Sequence, residues 1–423
     1  MPKDLASWLA YIEQQHPQAI ALGLERVERV RDAMGLAPSV PVITVAGTNG
    51  KGSTCAMLEA VFSAAGYRVG LYTSPHLLRY NERVRIAGRE AGDAALVSAF
   101  ARVEAARAGA GGDTRLTYFE FGTLAAMDLF QRSAVDVLVL EVGMGGRLDA
   151  VNAFDADCAI VTSVGMDHMD YLGATLEAIG HEKAGIFRPG RPAVLAEPAP
   201  LASVAAHAQA IGARLLRIGQ EFGYTREDGQ WSFWGPAGGI PGLPYPALRG
   251  RVQLQNASAV LVALEILRER LPVSTRALRD GLAEVELPGR FQVLPGRPVL
   301  VLDVGHNPQA AAVLAQNLAD LGPGSGTLAV FGMLRDKDIT GVAKLLAAQV
   351  DRWFVCTLPP PRGAQASELA QALRQAGVDG VREFETPAKA YAAACSGAGE
   401  NDRIVVFGSF HTVADVMAAR EKS

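Results

Sequence analysis

The chain has 423 residues, of which 49% are hydrophobic and 20% charged, and a formal net charge of -4. That length accommodates roughly two or three domains with separate cores, and the slightly acidic balance excludes a nucleic-acid binder working through bulk electrostatics while leaving room for a local anion site. Cys55, Cys158, Cys356 and Cys395 lie far apart without a C-x-x-C pair, so neither a zinc site nor a disulfide framework is indicated, and a reducing compartment fits.

The first segment, "MPKDLASWLAYIEQQHPQ", carries apolar residues at helical spacing and lacks the basic region and long apolar core of a signal peptide. No uncharged apolar run approaches the roughly 18 residues of a membrane span, so a cytoplasmic protein is expected, with no membrane or nucleic-acid partner. A series of short runs rich in Val, Ile and Leu follows: "VPVITVAG", "YRVGLYTS", "VDVLVLEVG", "CAIVTSVG", "RPVLVLDVG", "TLAVFGM", "DRWFVCTL" and "DRIVVFGS". Such runs read as strands buried on both faces of a parallel sheet. Helical patterns such as "TCAMLEAVFSAAG", "TYFEFGTLAAMDLFQRS" and "NPQAAAVLAQNLADLG" separate them, which predicts an α/β fold with right-handed crossovers.

The middle breaks this rhythm. "FGYTREDGQWSFWGPAGGIPGLPYPALRG" places an Asp-Gly turn between β-prone flanks and then a glycine and proline cluster, predicting a small antiparallel addition followed by a loop. The helix "QNASAVLVALEILRERL" comes next, and "LPGRFQVLPGRP" then separates it from a fresh strand and helix series. A boundary between domains 1–287 and 288–423 is expected there.

Four constellations carry chemistry. In "VITVAGTNGKGST" a strand, a glycine-rich turn and a helix follow one another, although the strict phosphate-loop pattern is broken by Val45 and by Gly52. Gly47, Gly50 and Gly52 would let main-chain N–H groups approach phosphate oxygens, and Lys51 would neutralise the terminal phosphates. Ser53 would meet the phosphates or Mg²⁺. In "LVLEVGMGGRLDAVN", Glu141 ends a buried strand, where a carboxylate needs a cation, and a phosphate-bridging Mg²⁺ suits it. In "SVGMDHMDYLG", His168 lies at a strand end beside Asp167 and Asp170; in "HEKAGIF", Lys183 by itself reads as a surface lysine. Finally, Arg290, Asp303, His306 and His411 stand at the predicted strand ends of the second domain, the edge where α/β sheets bind ligands.

Together "VAGTNGKGS", "TSPHL", "FEFGTLAA", "LEVGMGGRLDA", "SVGMDHMDYLG", "EKAGIF", "PGRF" and "DVGHNPQA" resemble, in order, the dihydrofolate synthase and folylpolyglutamate synthase family of the Mur ligase superfamily. The resemblance implies a P-loop-type, mostly parallel N-terminal domain and a smaller Rossmann-like C-terminal domain. It implies an ATP-dependent ligase that joins L-glutamate to dihydropteroate and to tetrahydrofolate through an acyl phosphate; a monomer is expected because no long exposed apolar helix face is evident in the sequence. Gly47, Thr48, Asn49, Gly50, Lys51, Gly52, Ser53, Asn256, Arg290, Asp303 and His306 would meet ATP. Ser74, Glu141 and His168 would hold two Mg²⁺ ions, and Lys183 matches a lysine that CO₂ converts to a carbamate. Lys51, His168 and Lys183 would be catalytic. Ala21, Leu22, Gly23 and Leu24, then Thr117, Tyr118, Phe119 and Glu120, then Leu148, Asp149 and Ala150 match pterin contacts. Val151 departs from an expected Thr, and Ala21 from an expected acidic residue.

Three rival readings predict different behaviour. A synthase of folylpolyglutamate alone would ignore dihydropteroate. A Mur ligase of the peptidoglycan type would need a further N-terminal domain for its UDP-sugar substrate, whereas the phosphate loop here begins within the first 50 residues. An ATP-dependent switch would hydrolyse ATP without an acceptor.

Overall fold

The computed structural model describes residues 2–18, 20–111, 114–199, 201–322 and 325–421. The chain divides into two compact units, the first built from 1–247 and 254–285, the second from 248–253 and 286–423. The stretch 248–253 is a departure from the boundary expected near residue 287. In the second unit the Arg251 guanidinium grips Asp320 at 2.7 and 2.8 Å, a pairing over 69 residues that no local sequence pattern announces.

The first unit contains β1 (Val42–Ala46), β2 (Val69–Tyr72), β3 (Val84–Ile86), β4 (Arg89–Glu90), β5 (Val137–Glu141), β6 (Cys158–Val161), β7 (Pro192–Leu195) and β8 (Arg214–Arg217), arranged β4-β3-β2-β5-β1-β6-β7-β8. From β2 to β8 the pairing is parallel, while β3 and β4 are antiparallel at one edge. Every residue of β1 and β5 is buried, as expected of strands covered by helices on both faces. Chain connections leave β1 toward β2 on one side and reach β6 on the other, so the carboxyl end of β1 is a topological switch point.

The same unit contains β9 (Gly223–Glu227), β10 (Gln230–Gly235) and β11 (Gly238–Leu243), a three-stranded antiparallel sheet. The glycine and proline cluster expected as a loop is therefore partly a third strand. Pro241 is tolerated because β11 lies at the edge, where its missing N–H breaks no ladder.

The second unit contains β12 (Gln292–Leu294), β13 (Val299–Asp303), β14 (Thr327–Phe331), β15 (Arg352–Cys356), β16 (Arg382–Phe384) and β17 (Arg403–Phe407), ordered β12-β13-β17-β14-β15-β16. Only β12 is antiparallel. Its core gathers Phe331, Trp353 and Phe407, with the rings of Phe331 and Phe407 stacked at 4.8 Å. Among the described residues no helix is long and apolar enough to cross a membrane.

Candidate active site

The glycine-rich turn lies at the switch point after β1, and the helix Lys51–Ala64 starts inside it. Gly47 and Gly50 have φ of 150° and 87°, a region that side chains with a Cβ rarely adopt. Space enforces the same choice, since a Cβ on Gly47 would fall 1.9 Å from Thr162 Oγ1 and one on Gly50 would fall 2.6 Å from Asn256 Oδ1. Two hydroxyl residues after β6 hold the turn: the Thr162 hydroxyl donates to the Asn49 carbonyl at 2.7 Å, and the Asn49 N–H donates to Ser163 Oγ at 3.0 Å. Gly165 N–H donates to Thr48 Oγ1 at 2.9 Å. Asn256 reaches the turn from the helix Val252–Leu267, which is anchored where the Gln255 amide donates to the Ala196 carbonyl at 2.6 Å. The Lys51 ammonium donates to the Gly47 and Thr48 carbonyls at 3.0 and 3.3 Å, so it is held by the loop it serves.

Beside the turn, Glu141 closes β5 with only 4% of its surface exposed, and its Oε2 accepts the Ser74 N–H at 3.1 Å. Ser74 comes here because β2 is the parallel neighbour of β5. His168 follows β6 in the left-handed region with φ 51°, a conformation that costs an L-residue about 1–2 kcal/mol and persists where surroundings impose it. Lys183 corrects its isolated reading as a surface lysine, because it is 3% exposed within the helix Leu176–Ala184. Burial pulls its amine down to about 7, the charge of Lys51 adds to that, and Asp167 and Asp149 oppose it. Among the described residues no three His, Cys, Asp or Glu side chains gather as a ready metal cage. A buried strand-end carboxylate beside Ser74 nevertheless fits Mg²⁺, which takes few protein oxygens and completes its shell with phosphate and water.

The three segments matched to the pterin lie against one another. The Arg26 guanidinium donates to the Ala21 carbonyl at 2.7 Å and to Glu120 Oε1 at 2.7 Å, while Gly23 N–H donates to the Leu148 carbonyl at 3.4 Å. Thr117 and Glu120 form a capping box on the helix Tyr118–Arg132, so Glu120 is engaged twice within the fold. The Phe119 ring packs 5.7 Å from Tyr72 and occupies the space above Gly143, where a Cβ would come within 2.8 Å of it. Asp149 accepts N–H groups from Met144 at 2.9 Å and from Val151 at 3.0 Å. Burial pushes its carboxyl up to about 7, against the pull of those N–H groups and of Lys51. The departure at Ala21 touches Arg26 through its main chain, and Val151 is fully buried.

In the second unit Asp303 ends β13 and accepts N–H groups from Phe291 at 2.8 Å and Gly305 at 2.7 Å. Burial raises its carboxyl, and Arg290 and His306 are close enough to lower it. The Arg290 guanidinium lies 4.9 Å from the Phe410 ring centre, and the His306 ring 6.4 Å from the same ring. Arg290 and His306 therefore flank Phe410, and Asp303 lies within electrostatic reach of both. Sequence reasoning missed Phe410, Thr162 and Ser163, whose only signal was a position at or just after a predicted strand, and Arg26, which carried no signal of its own.

The Mur ligase middle domain matches residues 45–264 and the Mur ligase glutamate ligase domain residues 289–410. A dihydrofolate synthase/folylpolyglutamate synthase of Escherichia coli K12 is 47% identical over 98% of this chain and 94% of its own. E. coli FolC solved in complex with DHPP and ADP superposes with a TM-score of 0.94 at 46% identity, covering 100% of this chain and 99% of that one. A bifunctional folylpolyglutamate synthase/dihydrofolate synthase solved with Mn, AMPPNP and L-glutamate bound gives 0.91 at 46% identity, covering 99% and 98%. The chain thus belongs to the dihydrofolate synthase/folylpolyglutamate synthase family of Mur ligases, a family of ATP-dependent ligases.

Proposed function

We propose that this chain, a cytoplasmic monomer, forms an amide between the amine of L-glutamate and the carboxylate of either dihydropteroate or tetrahydrofolate, converting ATP to ADP and phosphate. The observation that carries the reading is the clamped phosphate loop at a switch point, with the buried Glu141 carboxylate and Ser74 beside it. An amine does not displace the oxygen of a carboxylate, so that oxygen must first become a good leaving group. The acceptor carboxylate attacks the γ-phosphorus, ADP departs, and the glutamate amine attacks the acyl phosphate carbon before the C–O bond to phosphate breaks. Positioning and charge neutralisation are then the protein's task.

Each residue's part follows from its place. Lys51 exchanges its loop carbonyls for phosphate oxygens, and Thr162, Ser163 and Asn256 keep the loop N–H groups aimed. Ser74, Glu141 and His168 would hold two Mg²⁺ ions, which when bound neutralise the phosphate oxygens. An ordinary lysine presents roughly one neutral amine in several thousand at pH 7, whereas Lys183, drawn down to about 7, presents a large neutral fraction. That amine is the form that reacts with CO₂, and the resulting carbamate would replace a cation by oxygen ligands. Arg290, Asp303 and His306 would meet the nucleotide, and the segments containing Ala21, Thr117 and Asp149 the pterin.

Phosphate release from purified protein with MgATP tests the reading. Strong dependence on both glutamate and either acceptor is expected, with the glutamylated product identified by mass. Release that continues unchanged without acceptor would instead support a switch.

A further inference from the structure

The two acceptors differ at the reacting end. Dihydropteroate offers a single benzoate carboxylate, whereas tetrahydrofolate already carries a glutamyl residue whose α-carboxylate lies close to the reacting γ-carboxylate. A site that accepts both must leave that second anion in water or supply a cation for it.

Arg83 is placed to supply it. The Thr73 N–H donates to its carbonyl at 2.9 Å, so it sits across from the residue before Ser74, at the end of β2. Its guanidinium carbon lies 5.4 Å from the ring centres of both Tyr80 and Tyr118, and Tyr118 belongs to a segment matched to the pterin. Its Nε donates to His76 Nδ1 at 2.8 Å, which fixes the roll of the fork. The terminal nitrogens make no hydrogen bond or ion pair with any described residue. Arg26, which also reaches the segment holding Tyr118, is by contrast committed to Glu120 at 2.7 Å. A half-buried guanidinium on aromatic faces, with its end-on fork free, matches a carboxylate bidentately.

We propose that Arg83, oriented by His76 and seated on Tyr80 and Tyr118, binds the α-carboxylate of the acceptor's glutamyl residue and so selects glutamylated acceptors over dihydropteroate. This rests on the function proposed above. Losing a hydrogen-bonded charge pair of this kind weakens binding by about 10- to 100-fold.

The test measures kcat/KM of the full chain for tetrahydrofolate and for dihydropteroate in wild type, Arg83→Gln and Arg83→Lys. In Arg83→Gln the ratio of the two values should fall about 10- to 100-fold, mainly through KM for tetrahydrofolate, and Arg83→Lys should recover part of it. An equal fall with both acceptors, including complete inactivity, or no change in the ratio would overturn the proposal. A second arm needs no variant: tetrahydrofolate with its α-carboxylate converted to the amide should be a poor acceptor for the wild type, and equal use of it would overturn the proposal too. Wild-type protein that glutamylates neither acceptor would defeat the proposed function instead.

Discussion

Lys51 and Lys183 show how the same residue type is given contrasting environments by its surroundings. Lys51 lies on the loop with its ammonium on two carbonyls, so Lys51→Ala should lower kcat by about 100-fold or more while leaving the thermal midpoint nearly unchanged. A variant with wild-type turnover would remove the phosphate role. Lys183 is buried and its pKa is depressed. A base with a depressed native pKa binds fewer protons folded than unfolded between about 7 and its ordinary 10.5, so its contribution makes stability rise with pH across that window. In CO₂-free, nucleotide-free buffer, Lys183→Met should flatten this rise by up to about 1.4 kcal/mol per pH unit, read from urea unfolding at pH 7 and 9. The same slope in both proteins would show that the amine is not desolvated. In the active protein, Lys183→Ala should be nearly inactive and partly restored by a short carboxylic acid, an outcome that an ordinary structural lysine would not give.

At the scale of elements, the helix that begins in the phosphate loop is positioned by a contact that propensity would misjudge. Gly281, in the helix Thr275–Glu284, packs so closely on the helix Lys51–Ala64 that a Cβ there would fall 2.5 Å from Val61 Cα and 2.7 Å from its N. Ala normally stabilises a helix by about 1 kcal/mol over Gly, but backbone atoms cannot swing aside, and overpacking costs about 1–3 kcal/mol. Gly281→Ala should therefore lower the melting midpoint by a few degrees, at about 2–4 °C per kcal/mol, and raise KM for ATP. A higher midpoint would mean that the helices separate freely. This contact was not legible in the sequence, because it joins segments more than 200 residues apart. The central strands were legible, since burial on both faces writes a continuous apolar run, as in "VLVLE" of β5 and "VLVLD" of β13. Edge elements were not: β4 is two exposed residues, and β8, "RLLR", has no apolar run. Within the site, the motifs exposed Glu141 because it ends such a run; His168 was expected at a strand end but stands seven residues past β6, as the N-cap of the helix Met169–Leu172. Arg26 lies in an ordinary amphipathic helix, and only its pairing with Glu120 across 94 residues gives it a place.

For the whole molecule, the question is how one nucleotide serves two acceptors. Among the described residues the first unit has its clamped phosphate loop at a single switch point, and the segments with Ala21, Thr117 and Asp149 converge through Arg26, Glu120 and the Gly23 to Leu148 bond. One γ-phosphate can be attacked by one carboxylate at a time, so both acceptors must be presented to the same point. If they also share the pterin position, each should be a competitive inhibitor of the other, with an inhibition constant equal to its own KM as a substrate. With both acceptors saturating, total phosphate release should lie between the two individual rates, because every enzyme molecule is occupied by one or the other. Independent sites, each with its own nucleotide, would instead give the sum of the two rates. Separate pterin positions facing one nucleotide would allow both acceptors to bind together and make the inhibition noncompetitive. Measuring phosphate release across a grid of the two acceptors at saturating MgATP and glutamate separates the three arrangements, and either a summed rate or noncompetitive inhibition would overturn the shared site.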